Sequence, residues 1–236
     1  MKRESIESIS FDSVSFSSRN GAAVFSDFSL DLPMNKIVWL RGVSGTGKSV
    51  LIKMICGLLM PTKGQVLVNG QAISEMTFEE FTPMRCNMGY SFDFGGLINN
   101  RTLVANLLLA NQYHNFEIAN PEEIVSRINE YMRIFNIDKF SQERPSSVVG
   151  GLRKATCVAR AFVHEPELLL LDDPTTGLQG EVRDRLAELI INKKNAGRLQ
   201  HVFVASDDDQ FMKKLNPILI DMGSVQKITK EQTRAA

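Results

Sequence analysis

The stretch that decides the fold is Gly42-Val43-Ser44-Gly45-Thr46-Gly47-Lys48-Ser49. It matches the pattern G-x-x-x-x-G-K-[ST], which indicates a phosphate-binding loop only where a strand precedes it and a helix follows. The short apolar run 36–40 precedes it as a buried strand does, and residues 49–59 follow it with helical spacing. This context predicts a phosphate-binding loop that leads from a strand into a helix. The alternative is a glycine-rich turn before an ordinary helix.

The residue types of this loop suit the binding of a polyphosphate. Glycines allow consecutive backbone N–H groups to curl around an anion, and the helix start adds the positive end of its dipole. We expect Lys48 to reach the β- and γ-phosphates of a nucleotide and the Ser49 hydroxyl to bind Mg²⁺. The residues predicted to form the nucleotide cradle are Gly42, Ser44, Gly45, Thr46, Gly47, Lys48 and Ser49.

A second motif lies at 168–173, where four leucines are followed by Asp172 and Asp173. A buried strand that ends in an acid places the carboxylate at the carboxyl edge of a parallel sheet, where α/β proteins bind ligands. Taken alone, this motif is better explained by a buried strand that ends in solvated acids. Together with the phosphate loop it predicts that Asp172 holds Mg²⁺ through water.

The order of predicted elements indicates an α/β fold. Strands dominate the first part of the chain, 94–165 is rich in helices, and strands alternate with helices from 168 to 221. Such alternation predicts a mainly parallel sheet with crossover helices, here with antiparallel strands at the N-terminal end. Within a single domain, 1–236, we assign 1–93 and 166–236 to a core and 94–165 to an inserted helical subdomain. Residues 207–209 are interpreted as a solvated helix start.

Charge and composition limit the classes of protein. The 27 Lys and Arg balance 27 Asp and Glu, which argues against a nucleic-acid binder. The three cysteines fit neither a zinc site nor a disulfide framework, so we expect a reducing cytosol. No apolar stretch approaches the ~20 residues of a spanning helix, and the charged start lacks the apolar run of a signal peptide. A membrane role therefore requires a partner.

Between the two motifs lie Val148-Val149-Gly150-Gly151-Leu152 and Ala159-Arg160-Ala161, and Asp173-Pro174-Thr175-Thr176-Gly177-Leu178 follows. With these segments the chain resembles the ATP-binding subunits of ABC transporters over almost its whole length. Their pattern is L-S-G-G-[QM], A-R-A, an apolar strand with D-E-P, then T-S-G-L-D. The resemblance implies a P-loop NTPase fold of ABC type that binds Mg-ATP in a head-to-tail dimer, homomeric or heteromeric. Gly150 and Gly151 would close the nucleotide site of the second subunit.

The resemblance also implies membrane partners. Separate transmembrane permease chains would hold the subunit at the inner face of the membrane. The region 93–97 and the helical subdomain would form the groove that receives their coupling helix. The stretch Phe94-Gly95-Gly96-Leu97, with residues 102–106, most resembles the ATPases of MCE-type or Mla phospholipid transporters. Phe92 and Phe94 are interpreted either as packing residues of the subdomain hinge or as a patch that faces the partner.

Five positions depart from the family pattern, mostly where hydrolysis takes place. Asp173 replaces the glutamate expected after the Mg²⁺ aspartate, Ser206 the switch histidine, and Asp93 the lid glutamine, although its carboxylate can bind Mg²⁺. Val149 replaces the signature serine and Gln179 the last aspartate of T-S-G-L-D. A carboxylate displaced by roughly 1 Å costs about 10²-fold in rate, so we predict that hydrolysis is very slow or absent. The alternative is that Asp173 with Asp93 suffices.

Two functions follow from this pattern. The first is an ATP-binding transport subunit with impaired turnover. The second is a non-transport pseudo-ATPase, an ATP-gated scaffold that regulates a membrane or envelope complex. The aromatic residue that stacks on adenine in the family is also missing after Phe16, where Arg19 is the candidate substitute.

Overall fold

The computed structural model describes residues 3–18, 20–93, 96–113 and 120–224. These ranges contain nine strands and seven α-helices. In chain order they are β1 (Ile9–Ser17), β2 (Ala23–Asp31), β3 (Ile37–Arg41), α1 (Lys48–Ile55), β4 (Lys63–Val68), β5 (Gln71–Ala72), α2 (Phe78–Arg85), β6 (Met88–Ser91), α3 (Leu103–Tyr113), α4 (Pro121–Ile134), α5 (Gly150–Phe162), β7 (Leu168–Asp172), α6 (Gly180–Asn195), β8 (His201–Ala205), α7 (Asp209–Leu215) and β9 (Ile218–Asp221).

The strands form two sheets. An antiparallel sheet has the order β2-β1-β4-β5, and a five-stranded sheet has the order β6-β7-β8-β3-β9. Every neighbouring pair in the five-stranded sheet is parallel. Helices α3, α4 and α5 are inserted between β6 and β7. The predicted α/β fold, with a parallel sheet and N-terminal antiparallel strands, is confirmed.

The leucine strand β7 shows how the core is arranged. Leu168 and Leu170 belong to a cluster with α1 and the antiparallel sheet, whereas Leu169 and Leu171 belong to a cluster with α3 to α7. All four leucines are fully buried. Because helices or strands cover both faces of the parallel sheet, its strands are apolar at successive positions instead of alternating.

Helix α2 and strand β6 are not among the elements predicted from the sequence. Helix α2 contains Pro83, which normally argues against a helix interior. Its start nevertheless carries a capping box between Thr77 and Glu80, a sequence signal that identifies helix starts. Strand β6 has only four residues, and a Cβ atom at its Gly89 would lie 2.1 Å from the carbonyl oxygen of Ala161. Helix α5 therefore packs directly on this strand.

The register of the parallel sheet places several loops side by side. Asp172 in β7 is level with Ala205 in β8, which is level with Leu40 in β3. Strand β6 lies on the other side of β7, so its loop reaches the same edge. The phosphate loop, the end of the acidic strand, Ser206 and Asp93 therefore meet at the carboxyl edge, where α/β sheets bind their ligands.

Candidate functional site

The loop between β3 and α1 requires glycine at defined positions. Gly45 has a φ angle of +86° and Gly47 of +91°, a region that glycine adopts without steric cost. A Cβ atom at Gly47 would lie 2.6 Å from the ring of Phe25, and one at Gly42 would lie 2.5 Å from Thr46 Oγ1. A Cβ atom at Gly45 would meet nothing within 4 Å. The loop is thus closely packed on one side and open on the other.

Lys48 and Ser49 begin helix α1, and their side chains contact two different aspartates. The Lys48 side chain is buried, and its ammonium donates to the carbonyl of Gly42 and forms an ion pair of 2.9 Å with Asp207. The Ser49 hydroxyl donates to Asp172 Oδ1 at 2.8 Å. The interpretation of 207–209 as a solvated helix start is therefore incomplete, because Asp207 contacts the lysine of the phosphate loop.

Asp172 has the properties of a metal-binding carboxylate. It is 1% exposed, and its Oδ2 atom has no hydrogen-bond partner within the described ranges. Burial raises the pKa of Asp172, the Ser49 hydrogen bond lowers it, and the Asp93 carboxylate raises it further. A buried oxygen without a partner is unusual in native proteins, and it fits a site for Mg²⁺ or its water shell.

The protein alone does not complete such a site. In the part of the chain that the structure describes, no group of three His, Cys, Asp or Glu residues is arranged to hold a metal. Mg²⁺ characteristically binds through one or two carboxylates together with substrate phosphates and water. Ser49 and Asp172 fit this mode of binding.

Asp173 lies among several negative charges. Burial raises the pKa of Asp173, and the carboxylates of Asp93, Asp172 and Asp207 raise it further, whereas Lys48 lowers it. Its φ angle of +43° is uncommon for a residue other than glycine. Strain of this kind is characteristic of functional sites. The carboxylates around Asp173 thus favour a divalent cation at this edge.

Lys154 connects the loop after β6 to the acidic end of strand β7. It is not among the site residues predicted from the sequence. It lies on α5, is 7% exposed, and donates to the carbonyls of Phe92 (3.0 Å), Asp93 (3.0 Å) and Asp172 (2.9 Å). Burial lowers the pKa of Lys154, and Asp93, whose Oδ1 is 3.8 Å away, raises it. The sequence feature that could have indicated its burial is its position four residues before Val158, which places both on one face of α5. The Mg²⁺ role of Asp93 stays a prediction.

Ser206 belongs to the turn that begins α7. It is 1% exposed, and its hydroxyl oxygen accepts the N–H of Asp208 at 3.1 Å. Its carbonyl accepts the indole N–H of Trp39 at 2.8 Å. The side chain is therefore held in place by its own turn at the position where the family pattern expects a histidine.

The glycine pair at the start of α5 has two different environments. A Cβ atom at Gly151 would lie 2.4 Å from the carbonyl oxygen of Gly177, so this position requires glycine. Gly150 is exposed, and Val149 before it is 71% exposed and supplies no side-chain cap to the helix. The first N–H groups of an uncapped helix are available to an anion. Gln179 precedes α6 and likewise forms no side-chain cap.

Some interpretations concern residues outside the described ranges. These are the stacking role of Arg19 and the part of the lipid-transport resemblance that rests on Phe94 and Gly95. Among the described helices, none combines the length and apolar character that crossing a membrane requires.

Comparison with known proteins finds clear relatives. Residues 25–176 match the family described as ABC transporter. The sulfate/thiosulfate import ATP-binding protein CysA of Synechocystis sp. is 29% identical over 203 residues, which are 86% of this chain and 55% of that protein. The methionine import ATP-binding protein MetN of Photorhabdus laumondii is 33% identical over 171 residues, 72% of this chain and 49% of that protein. The chain spans about half the length of these curated relatives.

A solved structure agrees with the fold. The ATP-binding cassette MJ0796, in a dimeric post-hydrolysis state bound to ADP and Pi, superposes with a TM-score of 0.79. The alignment covers 91% of this chain and 95% of that chain at 23% identity. At this identity the likeness establishes the fold.

Proposed function

Since the chain belongs to the ABC transporter family, we propose that it is the ATP-binding subunit of an ABC transport complex and binds Mg-ATP. The observation that carries the proposal is the arrangement at the start of α1. Lys48 lies at the base of the glycine loop, and Ser49 is bonded to Asp172, whose second oxygen has no partner among the described residues. The two relatives named above are ATP-binding proteins of import systems, which supports this proposal.

Each residue of the loop has a distinct task in binding. The Lys48 ammonium balances the charge of the β- and γ-phosphates, and the α1 dipole favours negative charge at the same place. Ser49 and Asp172 are positioned to hold Mg²⁺, which when bound neutralises phosphate charge and orients the phosphate chain. Lys154 fixes the end of β7 through the Asp172 carbonyl and so holds the Asp172 backbone in position.

We propose that two such subunits associate head to tail. The start of α5, at Gly150, is exposed and lacks a side-chain cap, so its N–H groups are available to the γ-phosphate bound by a second subunit. The structure of MJ0796, a dimer bound to ADP and Pi, supports such an association for this fold. Whether the second subunit is a copy of this chain or a related one is decided by the mass of the purified complex.

We further propose that hydrolysis is slow. Ser206 accepts a hydrogen bond from its own turn and offers no imidazole to the γ-phosphate. Asp173 is shorter than the expected glutamate, and the exposed Val149 brings no hydroxyl to the opposite subunit. Each missing transition-state contact is worth ~10²–10³ in rate. The subunit therefore holds ATP longer than it turns it over.

A groove of about 270 Å³ is our proposed contact with a transmembrane partner. It lies between the C-terminal end of α1, helix α2 and strand β6, and Phe78 on its rim is 61% exposed. Exposed apolar patches of this kind mark interaction sites. The described residues that line it are Cys56, Leu58, Phe78, Thr82, Arg85, Cys86, Met88, Tyr90 and Phe92. Phe92 thus lines the groove and also packs against Tyr90, with ring centroids 4.4 Å apart.

The cargo is a narrower proposal. The two named relatives belong to import systems for chemically different molecules, sulfate or thiosulfate in one case and methionine in the other. We propose that the transported molecule is a lipid, because Gly96-Leu97 and residues 102–106 belong to the stretch that resembles the ATPases of phospholipid transporters. Phospholipid that co-purifies with the membrane complex, and that decreases when the complex is incubated with ATP, supports this cargo. A complex that carries no lipid above the level of an unrelated membrane protein contradicts it.

Nucleotide binding tests the proposed function. Calorimetric titration with Mg-ATP should show binding to the wild-type protein and a loss of at least about 10²-fold in Lys48→Ala, because one ammonium is removed from the phosphate site. Lys63→Ala, at an exposed position in β4, is the matched control and should bind normally. Equal affinity in Lys48→Ala and the wild type would refute the site.

A further inference from the structure

The ion pair between Lys48 and Asp207 joins the phosphate loop to the turn after β8. The two charged atoms are 2.9 Å apart, and the residues are 159 positions apart in the chain. The Lys48 side chain is 8% exposed, whereas that of Asp207 is 66% exposed. The adjacent Asp208 caps α7 by accepting the N–H of Phe211 at 3.0 Å. Asp207 is thus the acid of this turn that is directed to the lysine.

The asymmetric exposure of the pair has a physical consequence. A buried ammonium is costly without a counter-ion, so Asp207 stabilises Lys48 when no phosphate is present. The largely exposed carboxylate of Asp207 can turn into water with little desolvation cost, whereas the ammonium cannot. A phosphate that arrives at Lys48 must therefore replace Asp207, and Asp207 is the partner that moves.

We propose that Asp207 is a specificity-determining residue that occupies the place of a nucleotide phosphate on Lys48 and thereby favours Mg²⁺-bound nucleotide over free nucleotide. The inference rests on the proposed nucleotide site and deepens it. It assigns a function to a residue that hydrolysis itself does not use.

The preference for Mg²⁺ follows from the surrounding charges. The carboxylate of Asp207 acts electrostatically on Asp173, as do the carboxylates of Asp93 and Asp172. A free triphosphate adds about four further negative charges to these carboxylates, and like charges at short range repel strongly in a partly buried site. A divalent cation removes two of those charges. The carboxylate of Asp207 therefore penalises free ATP more than Mg-ATP.

Titration of Asp207→Asn with ATP, once with Mg²⁺ and once with EDTA, tests the inference. We expect this variant to bind Mg-ATP about threefold and free ATP about tenfold more tightly than the wild type, and a tenfold change is roughly 1.4 kcal/mol. Asp209→Asn is the matched control, because it removes the same charge from the same turn. Asp209 pairs with Arg41 at 3.7 Å instead. Its affinities should equal those of the wild type.

A second measurement separates an altered site from an altered fold. Without nucleotide, Asp207→Asn should melt at a slightly lower temperature than the wild type, because buried Lys48 loses its counter-ion, and Asp207→Ser should behave in the same way. If the wild type binds nucleotide but Asp207→Asn binds like Asp209→Asn, or more weakly than the wild type, the inference is overturned and the proposed function stands. If the wild type does not bind nucleotide at all, the proposed function fails first.

Discussion

The buried carboxylates at the two edges of the parallel sheet differ in how completely they are hydrogen-bonded. At the carboxyl edge, Asp172 keeps a buried oxygen without a partner among the described residues, and Asp173 has a left-handed backbone. At the amino edge, the carboxylate of Glu167 accepts the Ser5 hydroxyl at 2.7 Å and the Asn87 amide at 2.6 Å. Among the described residues, Glu167 thus has hydrogen-bond donors for both carboxylate oxygens, whereas Asp172 has one for Oδ1 alone.

This difference separates stability from function. Buried polar groups that are fully hydrogen-bonded hold a fold in one arrangement. Uncompensated charges and strained backbone cost stability and persist where a ligand completes the site. We therefore expect substitution of Glu167 at the amino edge to destabilise the protein, and neutralisation of Asp172 at the carboxyl edge to stabilise it while weakening Mg²⁺ binding.

The largest expected effect is a gain of hydrolysis at the carboxyl edge. Asp173→Glu combined with Ser206→His should raise the rate of ATP hydrolysis by about 10²-fold or more, because the carboxylate reaches the attacking water and an imidazole reaches the γ-phosphate. Phosphate release measures the rate, and the same pair of substitutions in Lys48→Ala should remain inactive. A brisk turnover by the wild-type protein would show that the substitutions do not impair hydrolysis.

At the amino edge, Glu167→Gln should lower the free energy of unfolding by about 2 kcal/mol, because an amide nitrogen replaces one of two buried acceptors. The wild-type acceptors face Ser5 and Asn87. Urea denaturation measures the change. Glu188→Gln, at an exposed position of α6, is the control and should change stability little. If both variants are as stable as the wild type, the amino edge does not have the stabilising role that the comparison assigns to it.

A smaller effect of opposite sign is expected for Asp172→Asn. Burial raises the pKa of Asp172, so the folded protein favours the neutral form and its ionisation at neutral pH costs stability. The variant without nucleotide should therefore be more stable by about 1 kcal/mol and should lose the Mg²⁺ dependence of ATP binding. Thermal melting with and without Mg-ATP measures both changes. A less stable variant would mean that the contacts of Asp172 outweigh its burial.

The smallest expected effect is the pH dependence of stability that arises at the amino edge. Burial lowers the pKa of His201 below its ordinary value of 6.5, and Glu167, 3.6 Å from its Nε2, opposes the shift. Its Nδ1 accepts the N–H of Asn35 at 2.8 Å, which holds the ring in the neutral form. The unfolded chain therefore binds the proton more readily, and stability falls as the pH drops below about 6.5.

Comparison with His201→Gln isolates this contribution. Between about pH 7 and about pH 5, the wild type should lose more stability than the variant, because only the wild type has a histidine whose pKa is lowered by folding. Urea midpoints at a series of pH values provide the measurement. Two parallel curves would indicate that His201 titrates alike in the folded and unfolded chain.

The sequence by itself determined the features whose causes are local. Residues 42–49 carry within eight positions everything that a phosphate loop requires, and the run 168–173 carries the acidic strand end. Asn120 caps α4 through the N–H of Glu122, and Pro121 stands in the first turn; both residue types are local signals of a helix start. The alternation of strands with helices likewise indicated the parallel sheet, because parallel strands need crossover connections.

Only the tertiary structure decided which distant residues meet. Asp207 contacts Lys48, and Lys154 contacts the carbonyls of Phe92 and Asp172, because strand order and register place four separate loops at one edge. The residues around a charged side chain in a loop do not reveal whether that side chain is solvated or ion-paired. Its role depends on what lies across the sheet edge, and that is set by the pairing of strands far apart in the chain.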